Sequence, residues 1–221
     1  MNKMKVKKVI FYILILGNFI TGCDNSKAAN EDNFKKAIAN ILPKQKINCF
    51  TMDIKLLRYF KEPVSIDFPL DLEKKEEEGF TQLKVLAKVG VLSTSETTTR
   101  EALSIPQKLV PATRYTLTKE GEKFFKRDLT IPGTSKKKNA FCFGETEIDK
   151  VINFTEPESF FGTTASRVKY TYRIKNLPSW TSDSEVQALI PKVAKMVRTK
   201  DKPAESTITL FLTSKGWAGK L

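Results

Sequence analysis

The chain has 221 residues and a formal net charge of +13, from 38 Lys and Arg against 25 Asp and Glu, and it contains no histidine. That absence excludes imidazole triads, histidine metal sites and imidazole acid/base chemistry. A glycine-rich phosphate loop and a G-x-S-x-G turn are also missing, so no residue set calls for a cofactor.

Residues 1 to 22 read as an export leader. Lys3, Lys5, Lys7 and Lys8 form a cationic start, and Val9 to Leu16 with Phe19 and Ile20 form an apolar stretch. A spanning helix needs about 20 apolar residues, and Gly17 and Asn18 interrupt this one, so a permanent transmembrane helix is the weaker reading. The stretch closes on Ile20-Thr21-Gly22-Cys23. This resembles the lipobox of bacterial lipoproteins. The resemblance implies cleavage between Gly22 and Cys23, a diacylglycerol on the Cys23 thiol, and a fatty acyl chain such as palmitate on the freed amine. One chain binds a bilayer reversibly and two or more anchor stably, at about 0.8 kcal/mol per buried CH₂. In enteric-type lipoproteins that resemble this one, an aspartate after the lipidated cysteine holds the protein on the inner membrane. Asp24 occupies that position and Asn25 is compatible with it. The implied location is the periplasmic face of the inner membrane, with the outer membrane as the alternative.

Without its four leader lysines the chain keeps +9 of the formal +13 on roughly 200 residues. An exported chain of this charge meets anionic lipid head groups, anionic envelope polymers or acidic proteins rather than nucleic acid. The plainer account is a lysine-rich surface that keeps a tethered protein soluble. Cys49 and Cys142 are then an even pair in an oxidising compartment. Joined, they would close a loop of about 90 residues, a stabilisation of about 4 kcal/mol on the chain-entropy view. Two separate buried thiols are the other possibility. No C-x-x-C is present, which argues against redox catalysis.

Residues 24 to 30 are small and polar and read as a tether. Phe34, Ile38, Ile41 and Leu42 recur at helical spacing before Pro43, predicting an amphipathic helix over 31–42. Residues 47 to 57 alternate as a strand, with helix an alternative from Leu56 to Phe60. A second helix is predicted over 76–89, burying Phe80, Leu83, Leu86 and Ala87, with Gly90 as its left-handed stop. A polar stretch over 93–101, a short strand over 114–118 and a terminal helix from Lys119 follow.

The blocks Leu83-Lys84-Val85-Leu86-Ala87-Lys88-Val89-Gly90-Val91-Leu92 and Tyr115-Thr116-Leu117-Thr118-Lys119-Glu120-Gly121-Glu122-Lys123-Phe124 resemble a winged-helix domain, within residues 31 to 130. The resemblance implies a helix turning into a wing, then the return strand and another helix. A DNA reader needs a basic recognition helix, whereas Glu76, Glu77 and Glu78 open this one. The resemblance therefore implies a packing scaffold or a protein-binding surface.

Residues 132 to 139, with Pro132, Gly133 and three consecutive lysines, read as an exposed link. Beyond it, 147–154 is a strand or short helix. Residues 167 to 175 are the cleanest strand, with Val168, Tyr170, Tyr172 and Ile174 on one face and Arg167, Lys169, Thr171, Arg173 and Lys175 on the other. Ser182-Asp183-Ser184-Glu185 has capping-box spacing ahead of a helix. That helix carries Val186, Leu189, Ile190, Val193, Met196 and Val197, and Pro191 either bends it or opens a second helix. A strand over 207–213 and a turn at Lys215-Gly216-Trp217 close the chain. The runs Leu117-Thr118-Lys119-Glu120-Gly121 and Leu212-Thr213-Ser214-Lys215-Gly216 are alike, from reuse of a good turn or from a duplicated unit. The fold class is α+β: a helical segment with a winged-helix-like strand pair over 31–131, and an antiparallel sheet with one packed helix over 140–221.

Few residues suggest catalysis. Of two S-x-x-K matches, Ser135 with Lys138 falls in the link and Ser166 with Lys169 opens a strand, away from the helical geometry that motif needs. Glu145 with Glu147 and Glu156 with Glu158 are spaced as solvated surface pairs near turns, not as a glycosidase pair. The candidate binding feature is a possible anion-binding face of Arg167, Lys169, Arg173 and Lys175, whose simpler account is a charged solvent face that protects the strand from aggregation. Trp180 and Trp217 read as core packing at strand ends, with exposed contacts as the alternative. These readings describe a membrane-anchored envelope lipoprotein that binds or scaffolds and is not an enzyme. The alternative is an inhibitor or immunity-type lipoprotein that blocks a toxin or cell-wall enzyme with a loop over 93–111. A cell-wall hydrolase ranks third.

Overall fold

The computed structural model describes residues 25–51, 65–70, 78–100, 105–106, 108–130 and 137–219. The leader, the lipobox with Gly22 and Cys23, Asp24, and most of the strand expected over 47–57 lie outside the described residues. In chain order the elements are α1 (Glu31–Ile41), β1 (Cys49–Phe50), β2 (Ser65–Pro69), α2 (Glu78–Lys88), β3 (Leu92–Arg100), β4 (Leu109–Leu117), α3 (Lys119–Phe124) and β5 (Phe125–Thr130). They continue as β6 (Lys137–Cys142), β7 (Glu145–Phe154), β8 (Glu158–Phe160), β9 (Thr163–Lys175), α4 (Ser184–Leu189), α5 (Pro191–Arg198), β10 (Ala204–Thr213) and β11 (Gly216–Ala218). The class is α+β. Two three-stranded sheets, β1-β6-β5 and β2-β4-β3, accompany a larger one ordered β11-β10-β9-β7, with β8 paired to β9. The strand pairs are antiparallel.

Local chemistry accounts for the helices. Asn30 caps α1 by accepting from the Asn33 N–H at 2.9 Å, and Glu31 and Asp32 complement the positive end of the helix dipole. Helix α2 ends in a Schellman motif: Gly90 takes φ +77°, its N–H bonds Ala87 O at 3.0 Å, and the Val91 N–H bonds Leu86 O at 2.9 Å. Helix α4 is capped by Asp183, one residue later than the capping-box spacing placed it. The Asp183 carboxylate accepts from the Glu185 and Val186 N–H groups at 2.9 and 3.0 Å, and a carboxylate satisfies these donors better than the Ser182 hydroxyl because it also opposes the dipole. Pro191 opens α5, where its missing N–H costs nothing.

Several expectations change. The polar stretch from 93 is strand β3, in register with β4 from Leu92 opposite Leu117 to Arg100 opposite Leu109. Ser and Thr suffice there because β3 is an edge strand with mostly exposed side chains. Within 93–111, residues 93–100 and 109–111 are therefore paired strands, while 101–104 and 107 lie outside the described residues. Residues 137 to 139 of the link belong to β6, and the rest of the link lies outside the described residues. Residues 25–30, read as a tether, are bound to the fold: Asn33 Nδ2 donates to Asn25 O and Ala28 O, and Trp217 Nε1 donates to Lys27 O and Ala28 O. The two L-T-x-x-G runs adopt different structures. Thr118 caps α3 by accepting from the Gly121 N–H at 3.0 Å, whereas Thr213 donates to Gly216 O across a hairpin turn at 2.6 Å. The shared letters therefore mark neither one reused turn nor a duplicated unit.

Two apolar clusters form the core. One joins Phe50, Leu83, Leu86 and Tyr115 to Phe141, Phe143, Trp180, Val193 and Met196, from both sides of the link. The Cys49 and Cys142 sulfurs lie beside it at disulfide distance, 2.13 Å, across the β1–β6 pair. The other cluster packs Phe34, Ile38 and Leu42 onto Ile148, Val151, Val168, Tyr170, Leu210 and Trp217. Helix α1 thus lies on the C-terminal sheet, although the sequence grouped it with residues up to 131.

Candidate functional site

Strand β9 alternates as its sequence demands: Val168, Tyr170 and Ile174 are buried beneath, and Arg167, Lys169, Arg173 and Lys175 lie on the other face. Neighbouring strands place an acid beside three of these four. Lys169 Nζ is 2.7 Å from Glu205 on β10, Arg173 Nε is 3.2 Å from Asp149 on β7, and Lys175 pairs with Glu147 on β7. Arg173 also donates to the Lys200 carbonyl, and Thr171 donates to Asp149 Oδ2 at 3.0 Å. Hydrogen bonds from Arg173 and then Thr171 hold the Asp149 carboxyl below the usual carboxylate range. Lys169 does the same for Glu205. Arg167 is exposed and has no ion pair among the described residues.

A cleft of about 650 Å³ lies between α1 and the β7 edge of the sheet, beside the end of this face. Lys35, Lys36, Arg173 and Lys175 line it with Asp32, Glu147 and Asp149, and Lys35 Nζ donates to Asp149 O at 3.0 Å. Four cations against three carboxylates give weak net attraction for a polyanion. They suit a polar surface carrying both signs. Sequence reading did not place Glu147, Asp149 and Glu205 beside the basic face, because β7 and β10 bring them in from elsewhere in the chain. It also missed a groove of about 1270 Å³ along β5 and the disulfide, whose lining mixes Lys46, Lys123, Lys126 and Arg127 with Glu122, Asp128 and Glu145.

The residues weighed for catalysis are not brought together. Ser166 donates to Thr155 O at 2.7 Å, while Lys169 lies three positions along an extended strand, on the opposite face, and pairs with Glu205. Ser135 lies outside the described residues. Glu147 is engaged by Lys175, and Glu156 and Glu158 are exposed. Trp180 and Trp217 are buried, with Trp180 edge-on to Phe143 at 4.9 Å and Trp217 edge-on to Phe34 at 4.8 Å. Among the described residues no three His, Cys, Asp or Glu side chains gather as metal ligands, and no helix is long and apolar enough to cross a membrane. No protein-family model, curated protein or solved structure matches the chain.

Proposed function

We propose that this protein is an envelope lipoprotein, acylated at Cys23, that acts by binding or scaffolding at the membrane surface and not by catalysis. One observation carries the reading. The chain joins the fold two residues after Cys23, where Asn25–Lys27 seat against Trp217 and Asn33, so acyl chains at the lipobox would hold the folded body directly at the bilayer. The mixed-charge cleft under α1 is the surface such a body would offer to a polar envelope partner. Replacing Cys23 with Ser tests the anchor: lipid labelling and leader cleavage should both vanish, and normal processing of the Cys23→Ser chain rules the reading out. Asp24→Ser with Asn25→Ser should shift the protein from inner- to outer-membrane fractions, and an unaltered chain already in the outer membrane defeats the sorting part alone.

The inhibitor reading keeps one specific support. Ile105 and Leu109, 100% and 68% exposed, project apolar surface at the outer end of the β3–β4 hairpin, as a plug would. Photocrosslinking from position 105 in the native envelope separates the two readings, since repeated capture of one secreted toxin or wall hydrolase favours inhibition.

A further inference from the structure

The β8–β9 hairpin spends two phenylalanines where neither packing nor turn geometry wants them. Phe160 pairs with Thr163, and the two residues between them, Phe161 and Gly162, take φ +47° and +78°. Two positive φ values make this a primed two-residue turn, for which Asn-Gly is the favoured pair; a side chain like that of Phe161 is disfavoured in the left-handed region. The rings gain nothing from the core either. Phe160 is 72% and Phe161 99% exposed, with centroids 5.7 Å apart.

The register shows where this tip points. Ala165 faces Phe211, so the β8–β9 tip and the β10–β11 turn after Thr213 share one end of the sheet. The N-terminal segment docks at that same end: a Cβ on Gly216 would lie 2.9 Å from the Ser26 carbonyl, and Trp217 Nε1 bonds Lys27 O and Ala28 O. Cys23 is two residues from Asn25, a reach of about 7 Å at most. The opposite end of β9, at Lys175, is about 40 Å away at the usual strand rise. Lys27 and Lys215 are exposed at the near end, where they would meet anionic head groups.

We propose that Phe160 and Phe161 form a second membrane contact that inserts into the head-group and acyl boundary of the bilayer and fixes the orientation of the folded body. The proposal rests on the reading that the N-terminus is held at the membrane. Insertion stops at the two rings, because the exposed Glu158 lies two residues before Phe160. The sheet then stands on the membrane by its Phe160–Phe161 end, with the Lys175 end turned away.

The test uses the full chain purified from membranes and reconstituted into phosphatidylethanolamine and phosphatidylglycerol vesicles with brominated acyl chains. Phe161→Trp reports the tip and Lys202→Trp the far end, each against the background of buried Trp180 and Trp217 in the unaltered chain. The tip signal should shift to the blue and be quenched about twofold, as for a ring at the head-group and acyl boundary, while the far signal stays unquenched. Phe160→Trp should repeat the tip result and covers a folding failure of the first variant. Absent quenching at both tip positions while the protein floats with the vesicles overturns the proposal, as does equal quenching at tip and far end. Tip crosslinks to a protein together with unquenched emission assign the rings to a protein partner and also overturn it. The mass of the N-terminal peptide reports separately on Cys23: an unmodified cysteine with a quenched tip removes the lipid anchor and leaves the membrane contact standing.

Discussion

The two apolar clusters close by different means. The larger one takes residues from both sides of the 132–139 link and has the Cys49–Cys142 pair at its margin. The smaller has no covalent staple and joins the two ends of the chain, with the fully buried Phe34 wedged edge-on between Phe154 and Trp217 at 4.8 Å each. A cluster that depends on contacts between distant chain segments must offset the entropy of closing that loop by packing alone. The smaller cluster is therefore the more sensitive to one missing ring, and the larger to loss of its staple.

Phe34→Ala should have the largest effect, lowering unfolding free energy by about 3–5 kcal/mol in denaturant titration. A change under about 1 kcal/mol would mean that α1 packs loosely on the sheet, breaking the contrast between the clusters. Cys49→Ser with Cys142→Ser should cost about 2–5 kcal/mol, the range for a native disulfide in a small exported domain. The unreduced protein should run faster than the reduced one and resist thiol labelling at both positions. Full alkylation of unreduced protein would leave both clusters held by packing alone. Thr118→Ala should cost about 1 kcal/mol through loss of the α3 cap, since the Thr118 hydroxyl also donates to Gly90 O at 2.7 Å.

Acid should weaken the charged face over the smaller cluster. Asp149 and Glu205 have depressed folded-state values, so the stability they contribute is complete above the ordinary carboxylate range near pH ~4 and is lost as pH falls through the folded values. In a melting series from neutral to acid pH, Asp149→Asn with Glu205→Gln should flatten that decline, and an unchanged slope would place the acid sensitivity elsewhere. The smallest effect should be a gain. Phe161→Asn puts a residue that accepts φ +47° at the hairpin tip and should raise stability by a few tenths to about 1 kcal/mol.

Elements set by short-range periodicity were legible. Helix α1 begins and ends within a residue of its apolar spacing, β9 includes the strand read over 167–175, and Pro191 separates α4 from α5. Strand β3 was illegible because a Ser/Thr-rich edge strand has almost no buried face to imprint a period; only its pairing to β4 defines it. The candidate site was half legible. The alternation of Arg167, Lys169, Arg173 and Lys175 is a property of one strand, but Glu147, Asp149 and Glu205 reach them across strand pairs that no local pattern encodes.

By itself the sequence determined the α+β class, the cysteines able to pair, the breaks at Pro43 and Pro191, and the basic face of one strand, because each follows from backbone sterics or a repeat within a few residues. Tertiary structure alone decided that α1 lies on the C-terminal sheet, that the basic face is matched by acids, and that the N-terminal segment shares a sheet end with Phe160 and Phe161. Those three depend on which distant surfaces bury each other, a choice made by the summed packing of the whole chain.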